Sequence, residues 1–220
     1  MKKLSYLYVA ILIISLSGCS LFQGGSDTFE GYIKYDIDYE GDIDEAIRAQ
    51  LPTSVTDYYK GAKIRKEQET AMFSMYQIVN SAKKEVIILM DMMGQKFAYK
   101  QDSAKMQEAM KELGEPEVRE TGETKKILGY TTKKVEVELD DNIFFGYVTD
   151  EINQEADHNW AGQFNGVKGV LLEYTTEQQG IIMTFTAKEI KEEKVKPSKF
   201  TIPAEYELKT SEEISTMFGG

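Results

Sequence analysis

The chain has 220 residues, a formal charge of -11 at pH 7, one histidine and a single cysteine. So acidic a surface repels nucleic acid and anionic headgroups, which excludes a nucleic-acid partner and a basic membrane patch. With one thiol in the chain, no intramolecular disulfide can form.

The first 18 residues have the form of an export signal. Lys2 and Lys3 precede an uncharged run from Leu4 to Leu16. That run falls short of the ~20 residues needed to span a bilayer but suits the apolar region of a secretory signal. It ends in Leu16-Ser17-Gly18-Cys19, which resembles the lipobox of bacterial lipoproteins. The resemblance implies that the Cys19 thiol receives a diacylglyceryl group, that the bond before it is cut, and that residues 1–18 are lost. Acyl chains stabilise membrane attachment by ~0.8 kcal/mol per buried methylene, so Cys19 is read as the lipid anchor. Loss of Lys2 and Lys3 takes the basic residues from 26 to 24 against 37 acidic ones, a charge of -13. Residues 19–28 form the lipidated cysteine and a Gly/Ser-containing tether. The tether lacks the acidic cluster that marks surface export in some bacteria, so an outer-membrane position facing the periplasm is expected.

Residues 29–220 have no Pro/Gly-rich break and are read as one domain. Its first strand is Phe29–Tyr39, where Phe29, Ile33, Tyr35, Ile37 and Tyr39 alternate with polar residues. A helix is expected from Asp42 to Leu51, continuing through Ser54–Lys60 to Gly61. Strands follow at Lys63–Thr70, Met72–Asn80, Glu85–Met92 and Gln95–Lys100. A second helix, Ser103–Leu113, places Met106, Met110 and Leu113 on one face and stops before Pro116. This helix is read as a movable lid. Further strands are expected at Thr131–Leu139, Ile143–Thr149, Gly169–Thr176, Ile181–Glu189 and Phe200–Ile202. The last helix opens with a capping box, Thr210-x-x-Glu213, and is expected to bury Ile214, Met217 and Phe218. Strands that follow one another without helices pair antiparallel. The fold class is therefore mainly β (α+β): a strongly curved antiparallel sheet, or half-barrel, with a few helices against its concave face.

Reactive chemistry is sparse. From Asp36 the spacing fits a calcium loop at positions one, three and six, but position twelve is Ile47 instead of a bidentate Glu. The methionines could offer thioethers to Cu(I), yet each lies on an apolar side or beside a turn, where Met fills adaptable space. His158, in Asp157-His-Asn-Trp160, reads as a structural histidine in a loop packed by Trp160 and Phe164. The pairs Asp140-Asp141 and Asp150-Glu151 fall at strand ends, where solvated turns are expected. No G-x-S-x-G elbow or phosphate-binding glycine loop occurs. The expectation is a protein that is not an enzyme and uses no cofactor or metal.

The stretch Glu120–Val135 resembles a pattern in a bacterial envelope family known only as a domain of unknown function. "GVKGVLLEY" from Gly166, "MTFTAKEI" from Met183 and "FTIPAEY" from Phe200 agree with it. That family is similar to the LolA/LolB lipoprotein carriers. The similarity implies an antiparallel half-barrel lined with apolar residues and lidded by helices, and it assigns no catalytic residues. Two functions follow. In one, the domain binds a lipid or other apolar ligand, lined by Phe73, Met75, Ile87, Leu89, Met106, Met110, Ile181, Met183 and Phe185. In the other, those residues form a closed core and the exterior meets an envelope protein partner. A connected apolar cavity of ~300 Å³ or more beneath the helices distinguishes the first from the second.

Overall fold

The computed structural model describes residues 28–112, 114–140, 142–178 and 180–218. Cys19, and with it the signal and most of the tether, lies outside the described residues. The described residues form a curved, unclosed sheet of 12 strands with three short helices. The strands are β1 (Gly31–Glu40), β2 (Ser54–Lys60), β3 (Lys63–Glu69), β4 (Phe73–Asn80), β5 (Glu85–Met92) and β6 (Gln95–Lys100). The second half contributes β7 (Glu117–Ile127), β8 (Tyr130–Leu139), β9 (Asn142–Thr149), β10 (Val170–Gln178), β11 (Ile181–Glu192) and β12 (Glu207–Leu208). The helices are α1 (Glu45–Arg48), α2 (Ser103–Glu112) and α3 (Ser211–Phe218).

The spatial order is β12-β6-β5-β4-β3-β2-β1-β11-β10-β9-β8-β7. Two antiparallel meanders meet where β1 pairs with β11, and only the short β12 runs parallel to its neighbour. This order forces curvature. The stretch 101–116, with α2 inside it, links β6 near one edge to β7 at the other. Ten residues of helix give about 15 Å, and six extended residues about 20 Å more. Ten strand spacings laid flat would need about 48 Å. The edges must bend towards each other for α2 to join them.

Three expectations need correction. Ser54–Lys60 is β2 and continues no helix; α1 spans only Glu45–Arg48 and buries nothing. In Ser-Val-Thr-Asp-Tyr-Tyr-Lys the β-branched and aromatic residues favour a strand, and Val55, Asp57 and Tyr59 are the buried alternates. Phe200–Ile202 is not a strand, because Pro197 opens a 3-10 turn that drives Phe200 into the core. Met217, expected inside, is exposed. β7 was not foreseen at all. Its residues are polar and almost wholly exposed, and pairing with β8 alone holds it as an edge.

Cross-strand pairing separates two faces. One carries Tyr35 with Val55, then Tyr59, Ile64, Val79 and Val86 in successive pairs. This Tyr35 face also takes Ile37 opposite Phe185. The other carries Arg65, Ile78 and Ile87, with Tyr76, Leu89 and Ala98 beside them. Val195 and Phe200 cover this Tyr76 face, and Arg65 fastens the cover by donating to the Lys199 carbonyl at 2.9 Å. Over the Tyr35 face lies the segment 150–169, which contributes Ile152, Trp160, Phe164 and Val167. β5 and the end of β4 are thus buried on both faces, whereas β1 keeps one face exposed.

Candidate binding site

The structure distributes the expected lining residues instead of gathering them. Met75 and Met106 pack beside Val79, Val86, Ile88 and Trp160 on the Tyr35 face. Phe73 shares that face and is half-buried at the start of β4. Ile87 and Leu89 are buried on the opposite face, under Val195 and Phe200. Met183 and Phe185 join the central cluster around Tyr35, and Ile181 is half-buried where β11 begins. The side chain of Met110, like Leu113, lies outside the described residues. Period-two geometry explains the division: residues of opposite parity on one strand cannot face the same cavity.

What the Tyr35 face does hold is a smaller, polar hollow. A cavity of about 90 Å³ lies among Tyr35, Asp57, Tyr59, Lys66, His158 and Tyr174. β1, β2, β3 and β10 supply its walls, while His158 and Asn159 reach it from the covering segment. Asp57 and Lys66 are partners across β2 and β3, and the Lys66 Nζ donates to Asp57 Oδ2. Asp57 is only 2% exposed, and its Oδ1 finds no partner. Burial raises the Asp57 carboxyl above its usual range, although the Lys66 charge opposes this. Burial also works against the Lys66 charge, but Asp57 and the neighbouring tyrosines hold it protonated, with a net upward shift. Around the pair, Tyr35 donates to the Leu171 carbonyl at 2.9 Å, and burial lifts the Tyr174 phenol to about 12. Tyr174 stacks on Phe185, with ring centroids 4.7 Å apart.

His158 sits where it was expected, in a packed loop, but its neighbours are different. Its Nδ1 is 3.0 Å from Ser81 Oγ and its ring meets Tyr59 edge-on at 5.9 Å. Burial lowers it to about 4, so the imidazole is neutral at pH 7. Asp57 is the one carboxylate lining the cavity, and its charge is already matched by Lys66. Among the described residues no group of three or more His, Cys, Asp or Glu side chains could hold a metal ion. The arrangement supplies hydrogen bonding, an internal ion pair and aromatic walls.

The covering segment is tied to the sheet by the Phe29 N–H donating to the Asn153 carbonyl at 2.8 Å, the Thr131 N–H donating to Glu151 Oε1 at 3.1 Å and the Ser81–His158 contact at 3.0 Å. Within the segment, Asn159 Nδ2 donates to the Val167 carbonyl at 2.9 Å and the Gly169 carbonyl at 3.2 Å, which fixes its own shape. Gln163 Nε2 donates to the Thr175 carbonyl at 2.9 Å. Gly146 on β9 makes room for it, since a Cβ there would lie 2.6 Å from Leu171 Cδ2 and 3.3 Å from Phe164 Cε1. The indole Nε1 of Trp160 is buried without a partner. Sequence reasoning missed Asp57 and Lys66 because β2 was read as helix. The signal was available: a lone Asp at an inward position between Val55 and Tyr59.

No family model matches the sequence, and no curated protein matches it. Among solved structures, PNGF-II in its C2 crystal form matches with a TM-score of 0.54 and 19% identity, over 86% of this chain and 32% of that one. PNGF-II in its P21 form gives 0.55 and 17%, over 86% and 33%. The chain therefore spans about a third of the length of PNGF-II. LprF from Mycobacterium bovis matches at 0.32 and 11% identity, over 80% of this chain and 90% of that one. At such identities the PNGF-II likeness is one of fold alone.

Proposed function

We propose that the chain is a lipoprotein of the cell envelope, anchored through Cys19 at the outer membrane and facing the periplasm. Its folded part would be a non-catalytic binding module for a lipid chain or another apolar ligand. The anchor rests on the sequence Leu16-Ser17-Gly18-Cys19. One observation supports binding: the apolar Tyr35 face is covered by segment 150–169, which contains only a three-residue 3-10 turn (Asn159–Ala161) and no strand or α-helix. Such a cover, tied by scattered hydrogen bonds instead of a strand ladder, can open at lower cost than a strand can. The chain's own Trp160 and Phe164 would then mark where the ligand's apolar part lies. The 90 Å³ cavity is too small for an acyl chain with the cover closed.

Trp160 is the only tryptophan, so its fluorescence reads the cover directly. Titration with palmitate below its micellar concentration should shift Trp160 emission saturably. Gln163→Ala, which removes a bond from the cover to β10, should lower the concentration required. Native mass spectrometry of the protein in mild detergent should show bound lipid. Unchanged emission together with lipid-free spectra would rule the module out as a lipid binder.

A second reading, an interaction module that meets an envelope protein, draws on a different observation. Met72, Met92 and Met93 at the β3–β4 and β5–β6 turns are exposed, as are Ile47, Ile143 and Ile182. Strand order puts all of these at one end of the sheet. Photo-crosslinkers placed at Met93 and at Lys34 separate the two: a single protein adduct from the first alone supports this reading.

A further inference from the structure

We propose that the cavity between Tyr35, Asp57, Lys66 and Tyr174 is a binding site for a neutral vicinal diol. This goes beyond the apolar-ligand reading and does not depend on it, because the contacts are polar and the cover stays closed.

The charges select the ligand class. A cation would meet the Lys66 ammonium, and an anion would meet the Asp57 carboxylate. The pair is already neutral in sum, so a charged guest would leave net charge beside the buried Asp57. What the pair lacks is one hydrogen bond: Asp57 Oδ1 is buried with no donor. A carboxylate oxygen only accepts, so the guest must bring an O–H or N–H. Lys66 is a donor only, and one of its three N–H groups goes to Asp57. The guest therefore needs an acceptor next to its donor. Two hydroxyls on adjacent carbons satisfy both at once: one donates to Asp57 Oδ1 and the other accepts from Lys66 Nζ.

The walls and the volume agree. Tyr35, Tyr59 and Tyr174 line the cavity, offering apolar ring surface to the C–H side of such a molecule and hydroxyls to its rim. About 90 Å³ is the share of roughly three liquid waters, which suits a diol fragment and not a whole sugar ring. The fragment has two natural sources, the glyceryl headgroup of a lipid and the edge of a sugar at a glycan end.

The test uses the full chain in mild detergent and ligand-observed saturation-transfer NMR. Glycerol and 1,2-propanediol should give saturable transfer in the millimolar range, and 1,3-propanediol at least tenfold less. Acetate and ethylammonium should give none. Asp57→Asn should weaken glycerol binding at least tenfold. Should that variant not fold, Val170→Leu provides the second arm, since it fills the cavity and leaves the ion pair in place. Methyl glucoside and 1-monoacylglycerol then divide the sources, the tighter binder naming the one that is used. Equal binding of the two propanediols overturns the proposal, as does tighter binding of either ion. Glycerol transfer that survives in folded Val170→Leu, or its absence in the wild type, overturns it as well.

Discussion

Lys66 reaches across from β3 to the one buried carboxylate of the Tyr35 face, Asp57 on β2. Removing one partner of such a pair costs more than removing both. Lys66→Met should lower stability by about 3–5 kcal/mol, whereas Asp57→Leu with Lys66→Met should stay within ~1–2 kcal/mol of the wild type. The pH dependence has a definite sign. Burial raises the folded-state Asp57 value, so its contribution is present at low pH and lost as pH rises through that value. Without Lys66 the carboxyl moves up further, and the Lys66→Met deficit should shrink between pH 7 and pH 4.5. Urea denaturation at both pH values measures this.

His158 gives the opposite slope. Its value is about 4 when folded, mainly through burial, against the ordinary 6.5 of a histidine. Between these values the unfolded chain binds more protons, so stability rises with pH. The contribution is complete above 6.5 and is lost as pH falls towards 4, with a ceiling of about 3 kcal/mol. His158→Gln should flatten the stability profile in that window. An unchanged slope in the variant would assign the effect to other groups.

Gly146→Ala should strike Leu171 on β10 first and, through Phe164, the cover. Its φ is ordinary, but the added methyl meets Leu171 and Phe164. Over-packing of this kind costs about 1–3 kcal/mol. Trp160 emission should shift to the red if Phe164 and its segment give way, and a thermal melt reports the cost.

α2 was read as a movable lid, and the structure offers a graded way to probe it. Met106 is half-buried, while Val86 in the same cluster is fully buried. Met106→Glu should cost only about 1 kcal/mol, because α2 can tilt its side chain out to water. Val86→Glu, on a central strand, has no such escape and should unfold the domain. Similar losses for both would make α2 a fixed part of the core.

Cys19→Ser should release the protein from membranes. Membrane flotation after a salt wash reads the result, and a variant still floating with the lipid would remove the anchor reading.

Most of the ladder was legible in the residue pattern. The alternation in Phe29–Tyr39 forecast β1, and Glu85–Met92 and Gln95–Lys100 matched β5 and β6 residue for residue. The capping box formed as read, with Thr210 and Glu213 exchanging bonds at α3. These features depend on neighbours a few residues away, which a linear pattern contains. Which face each residue serves depends on pairing across the folded sheet. Met75 and Ile87 were equally apolar in sequence, yet parity and register place them on opposite sides of the sheet. Likewise β7 has no buried stripe of its own and exists because β8 offers it a ladder. The site was the least legible part. Asp57 and Lys66 are ordinary charged residues until β2 and β3 align and residues 150–169, more than 80 positions further along the chain, close over Asp57 and leave Lys66 half-buried. Burial converts a common surface pair into an ion pair with one unmet hydrogen bond, and burial is a property of the fold.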